Sequence, residues 1–211
     1  MKIIWRGHAS FIIVANNKRI ITDPMNAKYG YPEIPLTADI VTVSHEHLDH
    51  NAVETVGGNP HVIRGLGNWD LDGVIIKGIA SYHDQRHGKD RGQNTIFKIS
   101  MAGIDLLHLG DLGDLLTEQQ LQAIGQVDIV LIPVGGRYTI NAAEACQVIS
   151  LLQPKIVIPM HYHTPHLSFK LAPVEDFTAH YDCFIKKNCL EVEPGDLETD
   201  MKIIVLDYLL G

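Results

Sequence analysis

Basic charge is scarce in this chain. Seventeen lysines and arginines stand against 25 aspartates and glutamates, a formal net charge of −8 at pH 7 with histidine neutral. A nucleic-acid groove needs a basic face, so the deficit argues against a nucleic-acid partner. Small anionic substrates stay compatible, because bound cations can reverse the local field. Cysteine is scarce too: Cys146, Cys183 and Cys189 are odd in number and none forms a CxxC pair. They read as reduced thiols of an intracellular protein, which excludes a disulfide framework and a cysteine-based structural zinc site. Long apolar runs are missing, and the opening Met1 to His8 carries neither a hydrophobic segment nor a small-residue cleavage site. The expectation is a cytoplasmic protein with no secretion signal and no membrane contact. A chain of 211 residues is long enough to bury one full core, so a single domain over 1–211 is expected.

Histidine, by contrast, is abundant, with twelve in the chain. Short runs of branched and aromatic residues at Ile3–Trp5, Ser10–Val14 and Arg19–Thr22 predict strands, with Asn16-Asn17 as a hairpin turn. Further strands are expected at Asp39–Val43, His61–Arg64, Val74–Ile79, Thr95–Ser100, Ile104–His108, Asp128–Ile132, Ile156–Pro159 and Met201–Leu206. Helical spacing and caps predict helices from Asp49 to before Gly57, over Glu118–Ile124, over Asn141–Leu152 and over Pro173–His180. Residues 81–94 are too polar for an element and read as a loop. The pattern suggests two sheets face to face with helices outside.

The strongest chemical signal is His45-x-His47-x-Asp49-His50, directly after an apolar strand. Two histidines at i and i+2 on an extended segment point their rings to one side, and the Asp and His beyond can face a second position. Imidazole and carboxylate donors without thiolate suit zinc, manganese or iron(II). A polar helix start with chance histidines does not account for four ligand-type residues within six positions.

This motif resembles that of the metallo-β-lactamase superfamily, and the family's other parts follow in order over residues 1 to about 165. Asp23 matches its structural aspartate, His83 its isolated histidine ligand, Asp111 its bridging aspartate and His161 its last histidine. The segments RGHASF, SHEHLDHN, HLGDLG, IPVGGRYTI and PMHYHT look like the ascorbate-6-phosphate lactonase-like branch. Two positions depart from it: Asp114, where relatives commonly carry histidine, and Asn141, where they carry aspartate. The resemblance implies an α/β protein, an αββα four-layer sandwich. It also implies two divalent metal ions, zinc first with manganese or iron as alternatives. His45, His47 and His83 would hold one, Asp49, His50 and His161 the other, and Asp111 would bridge them. A hydroxide between two such ions is a nucleophile at neutral pH, since metals lower water's pKa from ~15.7 towards ~7. Asp49 would be catalytic, orienting it. The implied activity is hydrolysis of a small ester-like substrate, a lactone or a phosphate ester.

Outside that set, His8, Arg91, Tyr138 and His163 are candidate substrate-binding residues: His8 in the first tight turn, Arg91 as a planar fork for an anion, Tyr138 in the loop Gly135–Tyr138, and His163 two residues past His161. The glycine-rich Gly135-Gly136 lacks the Lys-Ser/Thr of a phosphate-binding P-loop. The other readings are a phosphodiesterase or nuclease of the same fold, which predicts a basic track, and a non-catalytic metal-binding protein retaining the fold. Association into homo-oligomers fits either.

Overall fold

Among the described residues sixteen strands carry the fold, and those whose C-terminal ends lead to the candidate ligands run in one direction within each sheet. A computed structural model describes residues 1–32, 34–197 and 200–208. In chain order the first half contains β1 (Lys2–Gly7), β2 (Ser10–Ala15), β3 (Lys18–Thr22), β4 (Leu36–Thr37), β5 (Ile40–Val43), β6 (Val56–Gly57) and β7 (His61–Arg64). The second half contains β8 (Gly67–Leu71), β9 (Val74–Tyr82), β10 (Gln93–Met101), β11 (Ile104–His108), α1 (Glu118–Ile124), β12 (Ile129–Pro133), α2 (Ala142–Leu152), β13 (Ile156–Met160), α3 (Val174–Thr178), β14 (Ile185–Lys187), β15 (Leu190–Glu191) and β16 (Lys202–Leu206). The larger sheet has the order β14-β16-β13-β12-β11-β10-β9-β8, and the smaller β15-β1-β2-β3-β5-β7.

Composition explains the layering. The parallel neighbours β12 (IVLIP) and β13 (IVIPM) are apolar throughout and buried at every position, the pattern of strands covered on both faces. Their inner faces meet Ile3, Trp5, Phe11, Ile13 and Ile20 of the smaller sheet, and their outer faces take Ala145, Val148, Ile149 and Leu152 of α2, in one continuous core. Asn141 caps α2 through a reciprocal box with Glu144, and Thr117 caps α1 in the same way with Gln120.

The layer outside the smaller sheet is thin. Ile12, Ile21, Val41 and Val43 pack there with Val56, under the two-stranded ribbon of β4 and β6 and a 3₁₀ turn at Val53–Thr55. The helix expected from Asp49 onward is not formed. His50 N–H closes a tight turn on His47 carbonyl, Ala52 N–H donates to Pro24 carbonyl, and only the 3₁₀ turn follows. Tertiary partners thus take the amides that a helix would have used. The last helix is likewise shorter than its pattern, Val174–Thr178. Strands β4, β6, β8, β14 and β15 have no counterpart in the sequence reading. No helix among the described residues is long and apolar enough to cross a membrane.

Candidate metal centre

Strands β1 and β3 are both antiparallel to β2, and β5 is parallel to β3. Strands β9 and β11 are both antiparallel to β10, and β12 and β13 continue parallel to β11. These strands therefore deliver their C-terminal ends to one edge of the sandwich, where ligands collect in sheets of this kind. His8 follows β1, Asp23 follows β3, Ser44 to His50 follow β5, His83 follows β9, Asp111 lies three residues past β11, and His161 follows β13. Loops so short and so fixed at their base hold side chains tightly.

The imidazoles converge. Ligand atoms of His45, His47 and His83 lie within 4.8 Å of one another, as do those of His8, His50 and His161. One oxygen of Asp111 sits between the groups: its Oδ2 is 3.1 Å from His83 Nε2, 3.2 Å from His161 Nε2, 3.4 Å from His50 Nε2 and 4.0 Å from His45 Nε2. Asp49 Oδ2 is 3.8 Å from His50 Nε2 and accepts from His8 Nε2 at 3.2 Å. The His8 and His161 rings pack with centroids 4.0 Å apart. Thus His8, a candidate substrate-binding residue by sequence, stands inside the ring of ligand-type residues.

Supports beneath the ring set which nitrogen faces it. Asp23, fully buried, accepts from Ser44 N–H at 2.7 Å, from Ser44 Oγ at 2.6 Å and from His50 Nδ1 at 2.8 Å. With its proton given to Asp23, Ser44 Oγ accepts from His45 Nδ1 at 2.9 Å. That turns Nε2 of both His45 and His50 toward the centre, 4.0 and 3.4 Å from Asp111 Oδ2. Asn94 steadies the opposite side: its Oδ1 accepts from Asp111 N–H at 3.0 Å, and its Nδ2 donates to Ser81 Oγ and Leu109 carbonyl. Gly110 adopts φ +55°, and a Cβ there would collide with Asn94 Oδ1 and Ser44 Cβ. His108 Nε2 donates to Ala9 carbonyl at 2.8 Å and pins the turn that carries His8. Ser44, Asn94 and His108 carried no sequence signal, because their roles arise only across strands.

Does this donor set fit metal ions? His50 Nε2, on the side of Asp111, and Asp111 Oδ1 are buried without a hydrogen-bond partner. Unpartnered polar atoms in a dry region are costly, and divalent cations would satisfy a cluster of imidazoles around a carboxylate. Burial, aided by neighbouring imidazoles, pushes His8 down to about 4 and His45 down to about 3, so both keep a lone pair at neutral pH. Burial acts against ionisation of Asp111, but His161 and His50 outweigh it and hold the carboxyl well below its usual range. The residues fit the group.

A cavity of about 330 Å³ opens onto the ring, lined by His47, Asp49, His83, Arg91, Asp111, Tyr138, His161 and Phe169. Of the four substrate candidates, His8, Arg91 and Tyr138 are at the centre or its cavity. His163 is exposed and is not among the lining residues. Phe169, unforeseen, closes the wall between His8 and Tyr138, with centroids 5.6 Å and 5.9 Å away.

Residues 2–161 match the model of the beta-lactamase superfamily domain. The chain belongs to that superfamily. It is a metal-dependent hydrolase of the metallo-β-lactamase fold. A metal-dependent hydrolase of Thermococcus onnurineus is 32% identical over 193 residues, covering 78% of this chain and 85% of its own length. A candidate zinc-dependent hydrolase of the superfamily from Thermotoga maritima is 41% identical, covers 99% of both chains and superposes with a TM-score of 0.85. A metallo hydrolase from Ignicoccus hospitalis, 24% identical over 85% of this chain and 89% of its own, shares the fold with a TM-score of 0.64.

Proposed function

We propose that the protein hydrolyses a small ester-like substrate, a lactone or a phosphate ester, at a centre of two divalent ions, with zinc the first expectation. The carrying observation is the place of Asp111 Oδ2, within 3.1 to 4.0 Å of four imidazole nitrogens drawn from both histidine groups. A carboxylate oxygen so placed suits a bridge. His45, His47 and His83 would hold one ion, and Asp49, His50 and His161 the other. When bound, such ions supply Lewis acidity and lower the pKa of water.

The chain's own groups do the positioning. Asp49 lines the cavity, and its carboxylate is fixed by His8 Nε2–H, so it is placed to orient an attacking water. Tyr138 and Phe169 wall the cavity and narrow the approach. The scarcity of basic charge disfavours a polynucleotide substrate.

The test is turnover by zinc- and manganese-loaded protein of a phosphorylated sugar lactone and of bis-p-nitrophenyl phosphate, with Asp49→Ala as control. Turnover of the lactone that vanishes in the variant supports the reading. Diester turnover would move the chain to the phosphodiesterases. Unchanged activity in Asp49→Ala would refute the role given to that residue.

A further inference from the structure

Next to the metal-centre cavity lies a second one of about 560 Å³, lined by residues 43–47, by Arg64 and Gly65, and by Arg91 to Gln93 with Thr95. Two residues, His47 and Arg91, belong to both cavities. His47 is a candidate metal ligand. Arg91 is the cation at the junction.

The surroundings of Arg91 set it apart from other arginines nearby. Arg64 is tied to Glu46 at 3.0 Å and Arg86 to Asp90 at 2.8 Å. Among the described residues, no carboxylate forms an ion pair with the Arg91 guanidinium; its Cζ stands over the Tyr138 ring, 4.3 Å from the centroid. Arg137 shares the Tyr138 ring, 5.2 Å from its centroid, but its guanidinium donates to Lys170 carbonyl at 3.3 Å and it lines neither cavity. A ring face takes up part of a cation's charge but none of the forked N–H geometry that a carboxylate or phosphate matches.

The loop that carries Arg91 is built rather than slack. The Asp84 carboxylate accepts the backbone N–H groups of Arg86, Gly88, Asp90 and Arg91 at 2.8 to 3.0 Å. His83 N–H donates to Gly92 carbonyl and Gly92 N–H to Gly88 carbonyl, which closes the loop onto a candidate ligand. Tyr138, the ring beneath the guanidinium, packs in turn on the small core of Met25, Tyr31, Leu167 and Leu171. An arginine held on both sides, unpaired, beside a reaction centre in a chain of net charge −8 is a fixed positive site in an otherwise anion-repelling molecule.

We propose that Arg91 is the specificity-determining residue of this site and that the substrate is an anion. Its carboxylate or phosphate group sits at the junction of the two cavities, one cavity away from the bond that is cut. This rests on the hydrolase reading for the place of the cut bond, but the binding it describes needs no turnover.

The experiment is calorimetric titration of the zinc-loaded protein with three amides that share one backbone: N-methylbutyramide, N-methylsuccinamic acid and the N-methylamide of 3-phosphonopropionic acid. The expected result is that at least one anionic amide binds about tenfold or more tightly than the neutral one, the scale of a charge-assisted hydrogen bond. The preferred anion names the source, carboxylate or phosphate. Arg91→Met should abolish the preference and Arg91→Lys should restore part of it, with circular dichroism unchanged in both. Equal binding of the three amides, no binding of any, or a preference that survives Arg91→Met overturns the proposal. Failure of the hydrolase reading would show separately, as wild-type protein that keeps the anion preference and cleaves no ester.

Discussion

His50 Nδ1 donates to Asp23 Oδ2 at 2.8 Å, and both residues are wholly shut off from solvent. The bond fixes the histidine tautomer and aims Nε2 at Asp111, the arrangement by which a carboxylate behind a histidine sharpens a metal ligand. The same carboxylate collects Ser44, and through it His45, so one buried charge orients a candidate ligand of each histidine group.

Replacing that carboxylate by its amide should therefore act at a distance. Asp23→Asn is expected to weaken zinc binding about 10- to 100-fold, the usual cost of losing such a support. Competition with a chromophoric chelator measures it. Wild-type affinity in the variant would show that Asp23 serves folding alone.

Asp111→Ala bears on the number of ions. Because Asp111 Oδ2 is the atom common to both histidine groups, the variant should retain at most one zinc ion per chain. Atomic emission on dialysed protein reads the stoichiometry, and two retained ions would remove Asp111 from the bridging role.

Acid should loosen the metal-free protein. Burial holds His8 down to about 4 and His45 down to about 3, against 6.5 for an ordinary imidazole. Below 6.5 the unfolded chain binds protons there that the folded one refuses, so stability rises with pH from about 4 to 6.5 and is complete above it. His50 runs the other way: burial opposes its charge, but Asp111 and Asp23 outweigh this and raise it, so its contribution is complete below 6.5 and fades as pH rises. The Tm of chelator-treated protein should then fall steadily between pH 6.5 and 4. A flat profile would contradict the burial of these rings.

Backbone strain makes a fourth prediction. His161 holds φ +53°, in the left-handed region where a Cβ costs about 1–2 kcal/mol. Metal-free His161→Gly should exceed His161→Ala in stability by about 1 kcal/mol, while both lose zinc affinity. Denaturant melts of the two variants decide it; a more stable alanine form would show that the backbone is relaxed at this position.

Much of the site was legible in the chain order. His45, His47, Asp49, His50, His83, Asp111 and His161 all lie at the strand ends of one edge, because the apolar runs before them are plain in sequence. The missed helix after Asp49 shows where local pattern fails, since Pro24 carbonyl takes the Ala52 amide from 28 positions away. Ser44, Asn94 and His108 were invisible for a related reason: each is an ordinary strand-end or strand residue whose meaning depends on a neighbour from another strand. His163 illustrates the reverse, where two-residue spacing suggested a shared face. His161 N–H is bound to His8 carbonyl and His163 N–H to Ala172 carbonyl, so the segment is drawn aside between them.

The strand-by-strand delivery of donors also sets a timetable for synthesis. A growing chain presents His45, His47, Asp49 and His50 early, His83 and Asp111 later, and His161 only after β13 has emerged. Until then the early donors face water without their partners. Stable capture of metal is consequently an event of the nearly finished chain, and a ribosome-bound fragment ending before His161 should exchange its ions freely.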